Sequence, residues 1–250
     1  MKKIFFILIL ISSDLFAQTT TNSQLNIPGG IQIGFNNGAE GETVTTIKIL
    51  LVLTILTLAP AIILSMTSFA RIIIVLSFTR QALGTQSLPP NQIIIGLALF
   101  ITFFSMSPIL LKINETALEP YLDGKITREV FLKNASDPLK EFMYKQVNET
   151  DLKLFIEYSQ LKEKPKNLEE LPLYILIPSF ITSEIKRGFQ MGFMIFIPFI
   201  ILDLVIASIL MSMGMMMLPP AIISLPIKLM LFVLVNGWDL IIGSLLKSFQ

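Results

Sequence analysis

Uncharged apolar stretches long enough to cross a bilayer, interrupted again and again by single charges and prolines, decide what this chain can fold into. Ile49 to Ala70 runs 22 residues without a charge, and Ile93 to Leu111 runs 19. An α-helix needs about 20 to cross the hydrocarbon core. Hydrophobic residues make up 53 % of the sequence and charged ones 15 %, where a soluble domain has about 45–50 % and about 25 %. Backbone groups in hydrocarbon must be satisfied within their own segment, which helices achieve. The expected fold is an all-α membrane protein.

The net charge of +1 implies no bulk electrostatic partner, so no nucleic acid. The chain has neither Cys nor His. That removes thiol and imidazole nucleophiles, imidazole general bases and ordinary zinc sites, and no metal or cofactor is expected. An intramembrane aspartate such as Asp203 or Asp239 could serve an aspartyl protease or a proton relay. Neither lies in a Gly-x-Gly-Asp context, and the chain reads as a non-enzyme. Phe is abundant (19) beside a single Trp, so the usual Trp/Tyr belts of lipid-facing spans are thin.

Residues 1–17 read as a secretory signal peptide: Lys2 and Lys3, an apolar run Ile4 to Ile11 too short to span, then Ser12 to Ala17 ending on a small residue. An uncleaved short anchor is the alternative. Residues 18–46 are rich in Gly, Asn and Thr without periodicity and are expected to form a flexible periplasmic arm. Residues 47–111 form a first helical hairpin with a kink expected at Pro60. Residues 112–170 hold ten basic and twelve acidic residues and form a helical insert. There Asp137-Pro138 reads as a helix start. Leu139, Phe142, Met143, Val147, Leu154, Phe155 and Tyr158 follow at helical spacing. Three Asn-x-Ser/Thr patterns, at Asn114, Asn134 and Asn148, are chance matches in what reads as a bacterial chain. Residues 171–250 form a second kinked hairpin. Its charges Glu184, Lys186 and Arg187 split one apolar segment, leaving Leu171 to Ser183 and Gly188 to Leu202 as incomplete spans.

With the mature N-terminus outside, the tip holding Arg71 and Arg80 is cytoplasmic by the positive-inside rule. The insert is then periplasmic, and the tip of the second hairpin faces the cytoplasm. That second tip, Gly214-Met215-Met216-Met217-Leu218-Pro219-Pro220, follows Met211 and Met213, so five of the twelve methionines fall within seven positions. Met moulds itself to irregular surfaces, and Pro-Pro ends a helix, so the run is either a soft seal or apolar filling. The first tip, Gly84 to Pro90, shares the frame Gly-x-x-x-Leu-Pro-Pro 130 residues earlier but carries Thr85-Gln86-Ser87 inside it. One turn filled once with polar and once with soft apolar residues favours a specific role for the methionines.

A charge at membrane depth costs about 2.5–3.5 kcal/mol on insertion scales. Arg71, Glu184, Lys186, Arg187, Asp203, Lys228 and Asp239 therefore call for protein neighbours, and an oligomer is expected. Glu184 with Lys228, within or between subunits, is the expected long-range pair. The local alternative is Glu184 with Arg187 at i, i+3.

Several motifs in order carry a resemblance. They are Thr67-Ser-Phe-Ala-Arg-Ile-Ile-Ile-Val-Leu-Ser-Phe, Arg80-Gln-Ala-Leu-Gly-Thr-Gln, Pro89-Pro-Asn-Gln-Ile-Ile-Ile-Gly-Leu-Ala-Leu-Phe and Ser183-Glu-Ile-Lys. Further on stand Pro198-Phe-Ile-Ile-Leu-Asp-Leu-Val, Met213-Gly-Met-Met-Met-Leu-Pro-Pro and Ser224-Leu-Pro-Ile-Lys-Leu-Met-Leu-Phe-Val-Leu. From Ile47 onward the sequence resembles the FliP/SctR family of export-gate subunits, and the signal peptide favours its flagellar branch. Ala70 departs from the family motif, where a polar Thr is common. The resemblance implies a pentameric helical or ring assembly with FliQ, FliR and other export-apparatus membrane proteins, in the inner membrane at the flagellar basal body. Unfolded flagellar proteins pass through it. In that family the Met loop narrows the pore as a gasket, a role that falls here on Met215, Met216 and Met217. Met211, Met213, Gly214, Pro219 and Pro220 are its expected support, and Glu184, Lys228, Arg71 and Arg80 the expected subunit contacts or buried ion pairs. A small-solute transporter or ion channel built on the broken helices is the competing reading, and a purely structural scaffold is a third.

Overall fold

A computed structural model describes residues 26–27, 31–32, 41–85, 88–159, 165, 168, 170–215 and 218–249. The expected signal peptide lies outside the described residues. The chain divides into two units, 1–57 and 58–250. In the first, β1 (Asn26–Ile27) pairs antiparallel with β2 (Ile31–Gln32). Helix α1 (Gly41–Ser65) begins in this unit and runs on past Pro60. Among the described residues, Thr54 Oγ1 donates to the Leu50 carbonyl at 2.7 Å, and Thr57 Oγ1 to that of Thr54 at 2.9 Å, both inside the helix. An apolar helix can carry Thr on those terms, because no polar hydrogen is left unpaired.

The helix is unbroken through Pro60, where a kink is expected, and the break in the apolar run falls at Met66–Ser68. There Thr67 Oγ1 donates to the Leu64 carbonyl at 3.0 Å and accepts from the Phe69 amide at 3.4 Å. These bonds compete with the helix ladder and restart it as α2 (Phe69–Ala82). Helix α3 (Asn91–Ile113) passes through a π-helical segment (Asn114–Leu118) into α4 (Glu119–Leu122), a continuous run of 32 residues. The insert contributes α5 (Arg128–Gln146) and α6 (Glu149–Tyr158). Then come α7 (Leu173–Ser212), α8 (Pro220–Leu234) and α9 (Gly237–Lys247). Among the described residues, two runs, Asn91–Leu122 and α7, are long and apolar enough to cross a membrane, and a third if the bent pair α8–α9 counts as one.

Helix α7 is not split at its charges. It runs 40 residues through Glu184, Lys186 and Arg187, about 60 Å at 1.5 Å per residue. The charges do not end it because each has a partner inside the fold. Along its length α7 packs against α2, α5, α6 and α8. The α2 contact is the tightest. A Cβ on Gly188 would meet the Ile74 side chain at 3.1 Å, and one on Gly192 would meet the Phe78 ring at 2.6 Å. The two glycines lie four apart on one face, and their lack of side chains lets the helices approach.

Two clusters fill the interior. Ile72, Val75, Leu76, Ala98, Phe199 and Leu245 lie in one, which joins α2, α3, α7 and α9. Met106, Phe142, Met143, Ile175, Leu176 and Phe180 form most of the other, which fastens α5 of the insert to α3 and the first half of α7. The helix start expected at Asp137-Pro138 is corrected. Helix α5 begins at Arg128, after Thr127, and carries Pro138 buried in its interior. Burial of the ring offsets the one ladder bond that proline cannot donate to the Asn134 carbonyl. The apolar pattern of the insert is also divided at Val147–Asn148, which separates α5 from α6 and leaves Tyr158 exposed.

Between α8 and α9 the axis bends by 63°. Asn236 sits there with φ +52°, and an added Cβ on Gly237 would lie 2.3 Å from the Phe232 ring. Asn tolerates the left-handed region and glycine makes room for the ring, so both residues are matched to the bend.

Candidate functional site

The two tips share one backbone device. At the first, the Leu83 amide donates to the Thr79 carbonyl at 3.1 Å, and the Gly84 amide to that of Gln81 at 3.0 Å. At the second, the Met213 amide donates to the Ile209 carbonyl at 3.1 Å, and the Gly214 amide to that of Met211 at 3.1 Å. These are the same bonds shifted by 130 residues, and Gly84 and Gly214 both have φ +77°. A left-handed residue closing a helix is the ordinary role of glycine. The shared sequence frame thus opens on a shared helix end.

What the turns display differs. Around the second, Met211 is 59 % exposed, Met213 63 % and Leu218 45 %. Met215 is half-buried, and its amide reaches back to the Leu210 carbonyl at 3.1 Å. Pro219 caps α8 and Pro220 opens it, where a missing N–H costs nothing. Met216 and Met217 lie outside the described residues. The first tip is held by Arg80, whose Nη1 donates to Asn91 Oδ1 and, at 3.4 Å, to the Pro89 carbonyl. Arg80 therefore serves neutral acceptors of its own turn, where an ion pair or subunit contact is the sequence expectation.

The charges on α7 gather two buried groups of partners. Arg71 on α2 is 1 % exposed and Glu184 fully buried, and they form a bidentate pair: Arg71 Nε donates to Glu184 Oε2 at 2.9 Å and Nη2 to Oε1. Arg71 Nη2 also donates to Gln146 Oε1 of α5 at 3.0 Å, and Nη1 to the carbonyl and hydroxyl of Ser248, each at 2.9 Å. The Phe249 ring lies against the guanidinium, 4.1 Å from its centre. Arg187 turns to the insert as well, donating to Gln146 Oε1 at 2.8 Å and Asn148 Oδ1 at 3.2 Å. Beside this group Asp151 of α6 accepts from Ser183 Oγ at 2.8 Å and from Lys186 Nζ, while the Asn148 amide donates to Ser183 Oγ at 3.0 Å. Burial by itself would raise the Asp151 pKa. The hydrogen bonds from Lys186 and Ser183 and the charge of Lys186 outweigh it and hold the carboxyl below its ordinary range.

These partners replace the expected ones within the chain. Glu184 pairs with Arg71, and Lys228 with Asp203, whose Oδ2 accepts from Nζ at 2.5 Å. Asp203 lies nineteen residues beyond Glu184 on α7, about 28 Å along the axis. Lys228 of α8 stands at that far level. The local alternative, Glu184 with Arg187, gives way because Arg187 reaches the α5–α6 junction instead. Sequence reading missed Gln146, Asp151, Ser248 and Phe249. Neutral or isolated polar residues carry no periodic signal, and their partners lie 32 to 177 positions away. Among the described residues, no group of three or more His, Cys, Asp or Glu is placed to hold a metal ion.

The sequence matches the FliP family over residues 52–245. It is 54 % identical over 215 residues to the flagellar biosynthetic protein FliP of Bacillus subtilis, covering 86 % of this chain and 97 % of that one. Against the protein of the same name from Pectobacterium carotovorum it is 51 % identical, covering 89 % and 86 %. Against that of Aquifex aeolicus it is 45 % identical over the whole of both chains. A match of this extent, which takes in α2, both tips and every residue of the Arg71–Glu184 pair, establishes that the chain belongs to the FliP family.

Proposed function

We propose that this chain is a pore-forming subunit of the flagellar protein-export gate and passes unfolded flagellar proteins across the inner membrane. The observation that carries the reading is the second tip, where a left-handed glycine closes a 40-residue helix at the start of the methionine run and Met211, Met213 and Leu218 are exposed. The names of the relatives, flagellar biosynthetic protein FliP, support the pathway. Thioether side chains make few directional bonds and adapt to whatever they touch. A ring of Met215, Met216 and Met217 from several copies closes on itself at rest and deforms around any chain in transit without selecting its sequence.

The function is non-enzymatic and needs no cofactor. Transport energy comes from other components, since the chain has no Gly-rich phosphate loop. Copies of the chain assemble as a pentamer with FliQ, FliR and further membrane proteins of the basal body, with the 112–170 insert on the periplasmic side. Exposed Phe100, Phe103 and Phe104 on α3 and Phe193, Ile197 and Ile201 on α7 supply apolar surface for those neighbours. Replacing Met215, Met216 and Met217 together with Ala should leave the complex assembled and make it leak ions or small solutes. An assembled complex with unchanged leak sinks the gasket.

A small-solute transporter or channel is the second reading, favoured by one observation. Asp203 Oδ1 is buried without a partner among the described residues while Oδ2 holds Lys228, in a region of bent helices. Purification separates the two: a transporter comes out of the membrane alone as a small oligomer, an export gate with two other small membrane proteins.

A further inference from the structure

We propose that Ser248–Phe249, the segment after α9, is an intramolecular clasp that completes the Arg71 site and thereby fixes the insert to the helical bundle. A guanidinium offers five N–H donors and no acceptor. Here the five are matched one to one: Nε to Glu184, Nη2 to Glu184 and Gln146, and Nη1 to the carbonyl and the hydroxyl of Ser248. Two of the five acceptors thus come from a single residue at the end of the last helix. Without it a fully buried cation has two hydrogens facing no partner, a state more costly than never having buried the group. Phe249 covers one face of the guanidinium with its ring.

The same segment reaches the insert. Gln146 Nε2 donates to the Phe249 carbonyl at 3.3 Å, while Gln146 Oε1 accepts from both Arg71 and Arg187. Gln146 is the last residue of α5, so the clasp grips the insert at the junction where α5 turns into α6. Phe249 also packs against both hydrophobic clusters, the one that joins the bundle helices and the one that fastens the insert. One residue therefore closes a polar site and bridges two apolar ones, which gives a two-residue segment its leverage.

The test is hydrogen exchange on the full-length protein in its membrane complex, comparing the unaltered chain with Phe249→Tyr, Phe249→Leu and a chain ending at Lys247. The Leu variant keeps apolar bulk but loses the aromatic face; the Tyr variant keeps both. Truncation and Phe249→Leu should speed exchange of the amides of residues 143–152 about tenfold relative to those of α8, with Phe249→Tyr close to the unaltered chain. Equal protection of residues 143–152 in the Leu and unaltered chains overturns the clasp. So does acceleration spread evenly over all helices, which marks a general loss of packing. If the truncated chain does not accumulate, the Leu and Tyr pair decides alone.

Discussion

Arg71 and Glu184 exchange a bidentate pair of bonds in a place that water does not reach. Breaking such a pair from one side strands the other charge, which costs about 3–5 kcal/mol. Glu184→Gln should therefore destabilise the protein by about that amount in thermal unfolding, although it preserves the shape of the side chain. The joint change Arg71→Met with Glu184→Leu should cost clearly less. A second residue-scale expectation concerns Asp151. Its carboxyl takes up its proton at lower pH when folded than when unfolded. Its stabilisation is thus complete above the unfolded value of about 4 and is lost as pH falls through the lowered folded one. Asp151→Asn should flatten the decline of Tm with pH on the acid side and leave the neutral region shifted by a constant. An unchanged slope would count against the pairing with Lys186. Sequence alone announced that these charges needed partners, because isolated charges in apolar runs are costly. It did not name the partners, since Glu184 and Arg71 are 113 positions apart and nothing local ties them.

Among the elements, the turns were the most legible and the long helix the least. A Gly-x-x-x-Leu-Pro-Pro frame closes one helix with a left-handed glycine and sets prolines at or just before the start of the next, so both tips could be read from a few residues. Helix α7 could not. Its charges Glu184, Lys186 and Arg187 are met by Arg71, Asp151 and Gln146 arriving from other elements, and a window sliding along the chain sees only the interruption. The insert misled in the opposite sense: Asp-Pro is a good start signal, yet burial of Pro138 kept it inside α5. The closeness of α2 and α7 can be tested at the glycines. Gly192→Ala places a methyl 2.6 Å from the Phe78 ring and should cost about 1–3 kcal/mol by overpacking. Phe78→Leu in the same chain should recover part of that loss. Gly96→Ala on α3, where an added Cβ meets nothing within 4 Å, should instead stabilise by about 0.5–1 kcal/mol. Unfolding measurements on the three chains separate contact from helix propensity.

At the scale of the whole molecule, the composition made the chain a helical membrane protein, and the ordered motifs made its family recognisable from the residues. The charge clusters foretold protein neighbours without saying how many come from the chain itself, because burial inside a fold and burial between subunits leave the same mark on a sequence. The length of α7 carries a consequence of its own. About 60 Å of helix is about twice the thickness that hydrocarbon can solvate. Its two halves therefore need different surroundings, and the half that carries Glu184, Lys186 and Arg187 is built for contact with polypeptide. A detergent belt, which reproduces one bilayer thickness, wets only part of such a helix. The isolated subunit has no single solvent suited to it, and its solubility should be set by whichever companions travel with it out of the membrane.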